Sequence, residues 1–183
     1  MPPPTPPAAA PAATPAATPG RPTPSDSLRI VVHKAARTLI VYRGDRAERH
    51  YPVALGANSS ADKAVEGDEA TPLGEFFICA KNPRSKFFLS MCISYPNAED
   101  AERGLAANLI TPAERAAILA ALARRAMPPQ RTRLGGEIYI HGQPAAHAAA
   151  SENWTRGCIA LDDPAMRELY DLSAIGTPVL ITP

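Results

Sequence analysis

The chain has 183 residues, of which 45% are hydrophobic, and a formal net charge of +1, which suits one domain of ordinary size. The balanced charge excludes the strongly basic field of a nucleic-acid-binding protein, and no apolar run approaches the roughly 18 residues that span a membrane. We therefore expect no nucleic-acid partner and no membrane span in this chain. We also expect a monomer.

The first 24 residues differ in composition from the rest. Ten of them are proline and Arg21 is their only charged residue, so residues 25–183 carry 18 basic and 18 acidic side chains. Because proline fixes φ and lacks an amide donor, this stretch favours extended, solvated conformations. We interpret residues 1–27 as a Pro/Ala-rich flexible arm or linker and residues 28–183 as the folded domain.

The N-terminus has neither the basic start nor the apolar stretch of an export signal. Two interpretations are open: a cytoplasmic protein, or one from which an export signal has been removed. Since a proline- and alanine-rich spacer is the kind of segment that follows a signal or an anchor, we favour the second.

Most of the domain is predicted to be β-structure. Short runs rich in β-branched residues alternate with turns rich in glycine and polar residues. The strand candidates are "LRIVVHK", "TLIVYR", "AERHYPVAL", a hairpin within 76–95, "EIYIHG", a strand from Cys158, and "GTPVLITP". We expect seven or eight short strands and no internal repeat.

The predicted hairpin carries two of the three cysteines. If it turns at residues 81–86, Cys79 lies opposite Phe88, and Cys92 is four residues further along, about 13 Å away at strand rise. That separation is beyond the reach of a disulfide. We therefore expect Cys79 and Cys92 to be small core residues, the usual role of buried thiols.

A helix is expected between the strands of the second half, in "TPAERAAILAALARRAMPP". Thr111 can cap it, Pro112 suits its first position, and Glu114 completes a capping box. We place this helix at about 111–126, since paired arginines and then prolines end the pattern.

A second, short helix is expected after Cys158. It starts near Asp162 or Asp163, with Pro164 in its first turn. The two carboxylates are therefore better explained as a helix cap and helix start than as catalytic acids.

One histidine and one cysteine are spaced to meet in the fold. His141 ends an apolar strand and Cys158 begins another, with 16 residues between them. If the strands are neighbours, the imidazole can take the thiol proton and stabilise the thiolate. Gly157 allows the backbone to approach closely, which suits amides aimed at an oxyanion. A third buried thiol and a core histidine remain the alternatives.

Most of the other candidate side chains near His141 and Cys158 allow two interpretations. His147 is expected to be a solvated loop residue, and Trp154 is either a packing anchor or a wall of a substrate groove. Arg131, Arg133 and Arg156 either bind substrate carboxylates or solvate the surface. No CxxC or HxxxH pattern occurs, so we expect no metal site.

The segment "IYIHG" followed by "TRGCIAL" resembles the signature of the L,D-transpeptidase (YkuD-type) catalytic domain. That signature is a histidine-glycine strand end, a variable loop, serine or threonine, a variable residue, glycine and the catalytic cysteine. Upstream segments resemble the family's other common segments, in order: "YPVALG", "EGDEATPLGEF", "KNPRSKFF" and "ISYPN". The resemblance covers most of 28–182 and implies a mainly β fold, an L,D-transpeptidase-like β-sandwich with the inserted helix and the short helix after the cysteine.

The resemblance also implies roles for particular residues. Cys158 is the nucleophile, His141 is the general base, and the backbone carbonyl of Gly142 orients the imidazole. The amides of Arg156, Gly157 and Cys158 form the oxyanion hole. The expected substrate-binding residues are Trp154, Thr155, Arg156, Tyr139 and Arg133. No metal or organic cofactor is implied.

The implied activity is peptidoglycan L,D-transpeptidation, in the periplasm or cell envelope. Cys158 would attack an L-centre carbonyl of a diaminopimelate-type stem peptide, and an amine of a neighbouring stem would resolve the thioester, giving 3-3 or 1-3 cross-links. One alternative passes the same acyl group to water, as an L,D-carboxypeptidase or hydrolase. Another is an inactive wall-binding module, against which the intact His141, Gly157 and Cys158 argue.

Residues 99–134 depart from the family pattern. A short glycine-containing connector is usual there, whereas this chain has a full helix just before the strand that carries His141. The helix either packs on the core or covers the site as a lid, and both interpretations stay open.

Overall fold

The computed structural model describes residues 27–143 and 152–183, together with Met1. These residues form eight strands and three helices. The elements are β1 (Leu28–His33), β2 (Thr38–Arg43), β3 (Arg46–Pro52), β4 (Gly74–Ser85), β5 (Phe88–Ile93), α1 (Ala98–Ala106), α2 (Pro112–Ala123), β6 (Tyr139–His141), β7 (Ile159–Ala160), α3 (Asp163–Leu172) and β8 (Pro178–Thr182). The expected mainly β fold is confirmed. Most of the predicted arm, and His147, lie outside the described residues.

The strands form one curled sheet in the order β3-β2-β1-β8-β4-β5-β6-β7. Strand pairs β1–β8 and β6–β7 are parallel, and the other pairs are antiparallel. A single core cluster takes buried side chains from both ends of this order, such as Ile30 and Val41 at one end and Met91 and Ile140 at the other. The sheet therefore curls around its own core, and β6 and β7 lie at one end of it.

The β4–β5 hairpin turns later than the sequence predicted. Residues 86 and 87 form the turn and Ser85 pairs with Phe88, so the predicted turn at 81–86 is wrong. The polar residues after Ala80 continue the strand instead, because β5 supplies them with backbone partners.

This register brings Cys79 beside Cys92. The pairing shifts by one residue between Ile78 and Ala80, so that Ala80 lies opposite Cys92 and Cys79 is the extra residue of the bulge. The Sγ atom of Cys79 lies 3.4 Å from the carbonyl oxygen of Cys92. The predicted separation of about 13 Å is therefore wrong, although Cys92 is buried as expected.

The insert contains two helices where the sequence predicted one. The capping box of α2 is as expected: the Glu114 amide donates to Thr111 Oγ1 at 3.2 Å, and the Thr111 amide donates to the Glu114 carboxylate at 2.7 Å. Helix α1 was missed, although Asn97 and Asp100 form a second reciprocal capping box at its start. Helix α2 ends at Ala123, earlier than predicted.

The insert helices pack on each other and on the segment that follows them. Ala101, Ile118 and Leu134 belong to a small core of their own. Gly104 packs so closely that a Cβ there would lie 2.7 Å from a Leu134 methyl carbon. This second core supports the segment that leads into β6.

Helix α3 begins as predicted. Asp162 is its N-cap and accepts a hydrogen bond from the Ala165 amide at 2.7 Å. Met166 and Leu169 are fully buried. None of the helices in the described ranges is long and apolar enough to span a membrane.

Candidate active site

The structure brings Cys158 and His141 to one face of the β6–β7 pair. His141 lies opposite Ala160, and Cys158 precedes Ala160 by two residues, so strand alternation points both side chains the same way. The Tyr139 amide donates to Cys158 Sγ at 3.4 Å. Both side chains line a cavity of about 270 Å³ together with Tyr139 and Phe87, here called the histidine cavity.

The surroundings of His141 define its tautomer. Its Nδ1 atom lies 2.5 Å from the Gly142 carbonyl oxygen, which can only accept, so Nδ1 carries the proton and Nε2 keeps a lone pair. Phe87 stacks on the imidazole at 4.5 Å between ring centroids, and Trp154 presents an edge at 6.0 Å. Burial lowers the pKa of His141 below its ordinary value, so the ring is neutral at pH 7.

The thiol of Cys158 is protonated at rest. Burial raises its pKa to about 11, against the opposing effects of the Tyr139 amide and the positive charge of Lys63. The imidazole in the same cavity is neutral, so the resting groups are a thiol and an imidazole. The proton has to move as the sulfur attacks.

The loop before Cys158 is held by Thr155. The Thr155 hydroxyl donates to the Cys158 carbonyl at 2.7 Å and accepts from the Gly157 amide at 3.2 Å, and the Thr155 amide donates to the Leu55 carbonyl at 3.1 Å. Thr155 is buried, and its contacts brace the loop before Cys158. An oxyanion bound at the Gly157 amide would compete with the Thr155 hydroxyl for that donor.

Gly157 has a φ of +118°, and a Cβ there would lie 2.7 Å from the Ala70 carbonyl oxygen. We expect Gly157→Ala to destabilise the fold more than Gly176→Ala, its control. Gly176 shares a positive φ of +93°, but its added Cβ meets nothing closer than 3.9 Å. Backbone strain alone costs about 1–2 kcal/mol, and only Gly157→Ala adds a backbone clash. Urea unfolding of both variants measures the difference, and equal destabilisation would contradict this account.

A second, larger cavity of about 650 Å³ shares Cys158 and Glu137 with the histidine cavity. We call it the charged cavity, and its ionisable lining residues are Lys63, Glu66, Arg131, Glu137 and Arg156. Lys63 is buried and paired with Asp68 at 2.9 Å, whereas the other four side chains are exposed. The cavity therefore offers groups of both charges to a ligand held next to the sulfur.

The remaining predicted site residues are distributed as follows. Tyr139 lines the histidine cavity and Arg156 the charged cavity. Trp154 packs against His141. Arg133 is exposed and is not among the residues that line either cavity, while its neighbour Arg131 lines the charged cavity.

Helix α2 lines neither cavity at Cys158. Its residues Ala113 and Ala117 face a separate, open groove of about 590 Å³. The insert reaches the charged cavity through Gln130 and Arg131, which follow the helix. The lid interpretation therefore does not describe α2, and the insert contributes a cavity wall instead.

Several residues of the site were missed by the sequence analysis. Phe87 and Glu66 lie in segments that resemble the family's common segments, but the resemblance gave neither residue a role. Lys63 carried no local signal. Phe87 reaches the imidazole only because the hairpin turns at residues 86 and 87.

Comparison with known families agrees with this geometry. The model of the L,D-transpeptidase catalytic domain, YkuD, matches residues 27–181. The chain belongs to this family. No curated protein matches it.

Solved structures share the fold of this L,D-transpeptidase domain at low sequence identity. Pgp2 of Campylobacter jejuni, a helical cell shape determining protein, is 22% identical over 85% of this chain and 47% of its own, with a TM-score of 0.56. Bd1075 of Bdellovibrio bacteriovorus is 22% identical over 87% and 49%, with a TM-score of 0.55. An L,D-transpeptidase from Mycobacterium smegmatis is 16% identical over 86% and 59%, with a TM-score of 0.53. The chain thus spans about half to three fifths of these proteins.

Metal ligands are not grouped in the described part of this L,D-transpeptidase domain. Across residues 27–143 and 152–183, no set of three or more His, Cys, Asp or Glu side chains is placed to hold an ion.

Proposed function

We propose that this domain transfers the acyl group of a peptidoglycan stem peptide through a thioester on Cys158. The observation that carries the proposal is the shared cavity of Cys158 and His141. There the Gly142 carbonyl holds the imidazole in the tautomer that acts as a base. A neutral imidazole beside a protonated thiol is the arrangement that general-base activation of a nucleophile requires.

The proposed first step forms the thioester. As Cys158 Sγ attacks the L-centre carbonyl, His141 Nε2 takes the thiol proton, and the Gly142 carbonyl stabilises the resulting imidazolium through Nδ1. Backbone amides at Arg156 and Cys158 stabilise the oxyanion, with the Gly157 amide joining if it leaves Thr155. Collapse of the intermediate breaks the peptide bond, and the departing amine takes the proton from His141.

The second step is proposed to use an amine in preference to water. Two cavities meet at Cys158, which gives room for an acyl donor on one side and an acceptor on the other. The free end of a diaminopimelate side chain carries both an amine and a carboxylate. In the charged cavity Arg131 and Arg156 suit the carboxylate, and Glu66 and Glu137 suit the amine before it loses its proton. Holding the amine there would raise its effective concentration against water.

The product of this reaction is a cross-link that joins an L-centre carbonyl to a neighbouring stem. Attack after the third stem residue gives a 3-3 link, and attack after the first gives a 1-3 link. Because stem peptides lie outside the inner membrane, the proposed location is the periplasm or cell envelope.

A reaction with purified disaccharide tetrapeptide tests the proposal. Incubation with the protein should produce dimers joined through an L-centre carbonyl, and tandem mass spectrometry identifies the donor residue. Shortened monomers alone, even with acceptor in large excess, would assign the protein as a hydrolase. No product of either kind would reject an active enzyme.

The pH dependence of two reactions of Cys158 should distinguish the ionisation of His141 from that of the Cys158 thiol. Because burial lowers the His141 pKa below 6.5, acylation by a carbapenem should be constant near neutral pH and fall only below 6.5, as the imidazole takes up a proton. Alkylation by iodoacetamide needs the thiolate and should rise about tenfold per pH unit up to about 11, the thiol pKa. An alkylation rate that levels off near pH 7 would indicate a resting ion pair instead.

Arg131→Gln should weaken acceptor use and not acylation. Losing a charged hydrogen bond to the acceptor carboxylate should lower the rate of cross-linking at limiting acceptor by about tenfold or more. Carbapenem acylation of Cys158 should keep its rate. Arg133→Gln is the matched control, since Arg133 is exposed and lines neither cavity. Equal effects of the two substitutions would show that the charged cavity does not hold the acceptor.

A further inference from the structure

The three cysteines divide into a pair and a single residue. Cys79 is the extra residue of the β4 bulge, and together with Ala80 it lies opposite Cys92 on β5. Residues that oppose each other across antiparallel strands have Cα atoms about 4.5–5.5 Å apart, within the range that a disulfide spans. Cys158 lies on the far side of β6 from β5, at the start of β7.

The contacts of the pair place Cys79 next to Cys92. Cys79 Sγ lies 3.4 Å from the Cys92 carbonyl oxygen, at the bulge where Ala80 lies opposite Cys92. The interaction between the two thiols lowers the pKa of Cys79 and, together with burial, raises the pKa of Cys92. Cys79 is half-buried and Cys92 is 1% exposed, so a soluble oxidant meets Cys79 first.

We propose that Cys79 and Cys92 form a disulfide, which leaves Cys158 as the one free thiol of the domain. The Cys79 thiolate attacks a disulfide oxidant and releases one thiolate of it. The Cys92 sulfur then attacks the Cys79 sulfur of this mixed disulfide and releases the second. Two protons leave the protein, and its two electrons reduce the oxidant. In an oxidising compartment such a pair persists.

The disulfide would stabilise the β4–β5 hairpin, which lies next to β6, the strand of His141. It closes a loop over residues 79–92, and Phe87, which stacks on His141, lies at the turn of this loop. Cys92 also lies opposite Tyr139, whose amide contacts Cys158 Sγ. We therefore expect oxidation to stabilise the hairpin whose Phe87 stacks on the imidazole. The midpoint of thermal unfolding should rise by about 5 °C or more.

The experiment oxidises the reduced full chain with oxidised glutathione and counts thiols. After denaturation and N-ethylmaleimide treatment, the oxidised protein should carry one adduct and the reduced protein three. Lys81, Arg84 and Lys86 lie between the paired cysteines, so trypsin separates them and a non-reduced digest shows the linked peptides directly. Cys158→Ala should form the same link and carry no adduct.

Three outcomes would overturn the proposal. They are a link that includes Cys158, a glutathione adduct on Cys79 without a link, and three free thiols after oxidation. The thermal shift has its own control: Cys79→Ala should lose the rise on oxidation, because Cys92 then has no partner across the bulge. None of these readouts depends on transpeptidase activity. Failure of the disulfide proposal can therefore be distinguished from failure of the proposed acyl transfer.

Discussion

Cys158→Ala should abolish acyl-enzyme formation while the domain stays folded. Transfer through a thioester has no route without the sulfur, so we expect cross-linking to fall by about 10⁴-fold or more. The fold should tolerate the change, because within the described residues the polar contacts of Cys158 Sγ are long ones, to the Tyr139 amide at 3.4 Å and the Glu137 carbonyl at 3.5 Å.

Intact-mass analysis with a limiting carbapenem measures the outcome. The unmodified protein should gain one adduct, and peptide mapping should place it on Cys158. Cys79→Ala is the matched control, since it removes another half-buried thiol that does not line the cavity of His141, and the carbapenem adduct should be unchanged. Labelling of Cys79, or full activity of Cys158→Ala, would contradict the assignment of the nucleophile.

His141→Gln should slow acylation by about 10²–10⁴-fold, the usual range for loss of a general base. The reason is the resting state of the pair. A thiol whose pKa is raised to about 11 has almost no thiolate at pH 7, so the imidazole has to take the proton during attack. The fall in rate below pH 6.5 should also disappear, because no imidazole remains to be protonated.

The control for this variant is alkylation under strongly basic conditions. Above about pH 11 the thiol ionises by itself, so iodoacetamide should modify the variant and the unmodified protein at similar rates. His33→Gln changes a histidine that contacts Thr182, away from the cavities, and should leave acylation unaltered. If His141→Gln unfolds the domain, His141 is a core residue and the proposed base is wrong.

Local patterns in the sequence were enough to place most elements. The capping boxes are encoded within four residues, so Thr111 and Glu114 identified the start of α2, and Asp162 identified the start of α3. Runs rich in β-branched residues likewise identified β1 and β2. The pairing of His141 with Cys158 was also predictable, because each ends or begins a strand and only one loop separates them.

The register of the β4–β5 hairpin was not predictable from local pattern. Residues 82–85 are polar and contain a proline, which is typical of a turn, yet they extend β4 because β5 pairs with them. The one-residue bulge beside Cys79 is likewise a result of fitting the two strands together. The sequence therefore separated two cysteines that the structure places in contact.

The amino-acid sequence alone thus specified the family signature, the nucleophile and base candidates, and most strand and helix positions. Only the tertiary structure brought Lys63 and Glu66 to the same cavity as Arg131, made α2 part of a separate packing unit, and turned Thr155 inward to brace the loop. The physical reason is that these properties depend on segments far apart in the chain. Burial shifts the pKa values of the thiol and the imidazole, and only the packed fold sets that burial.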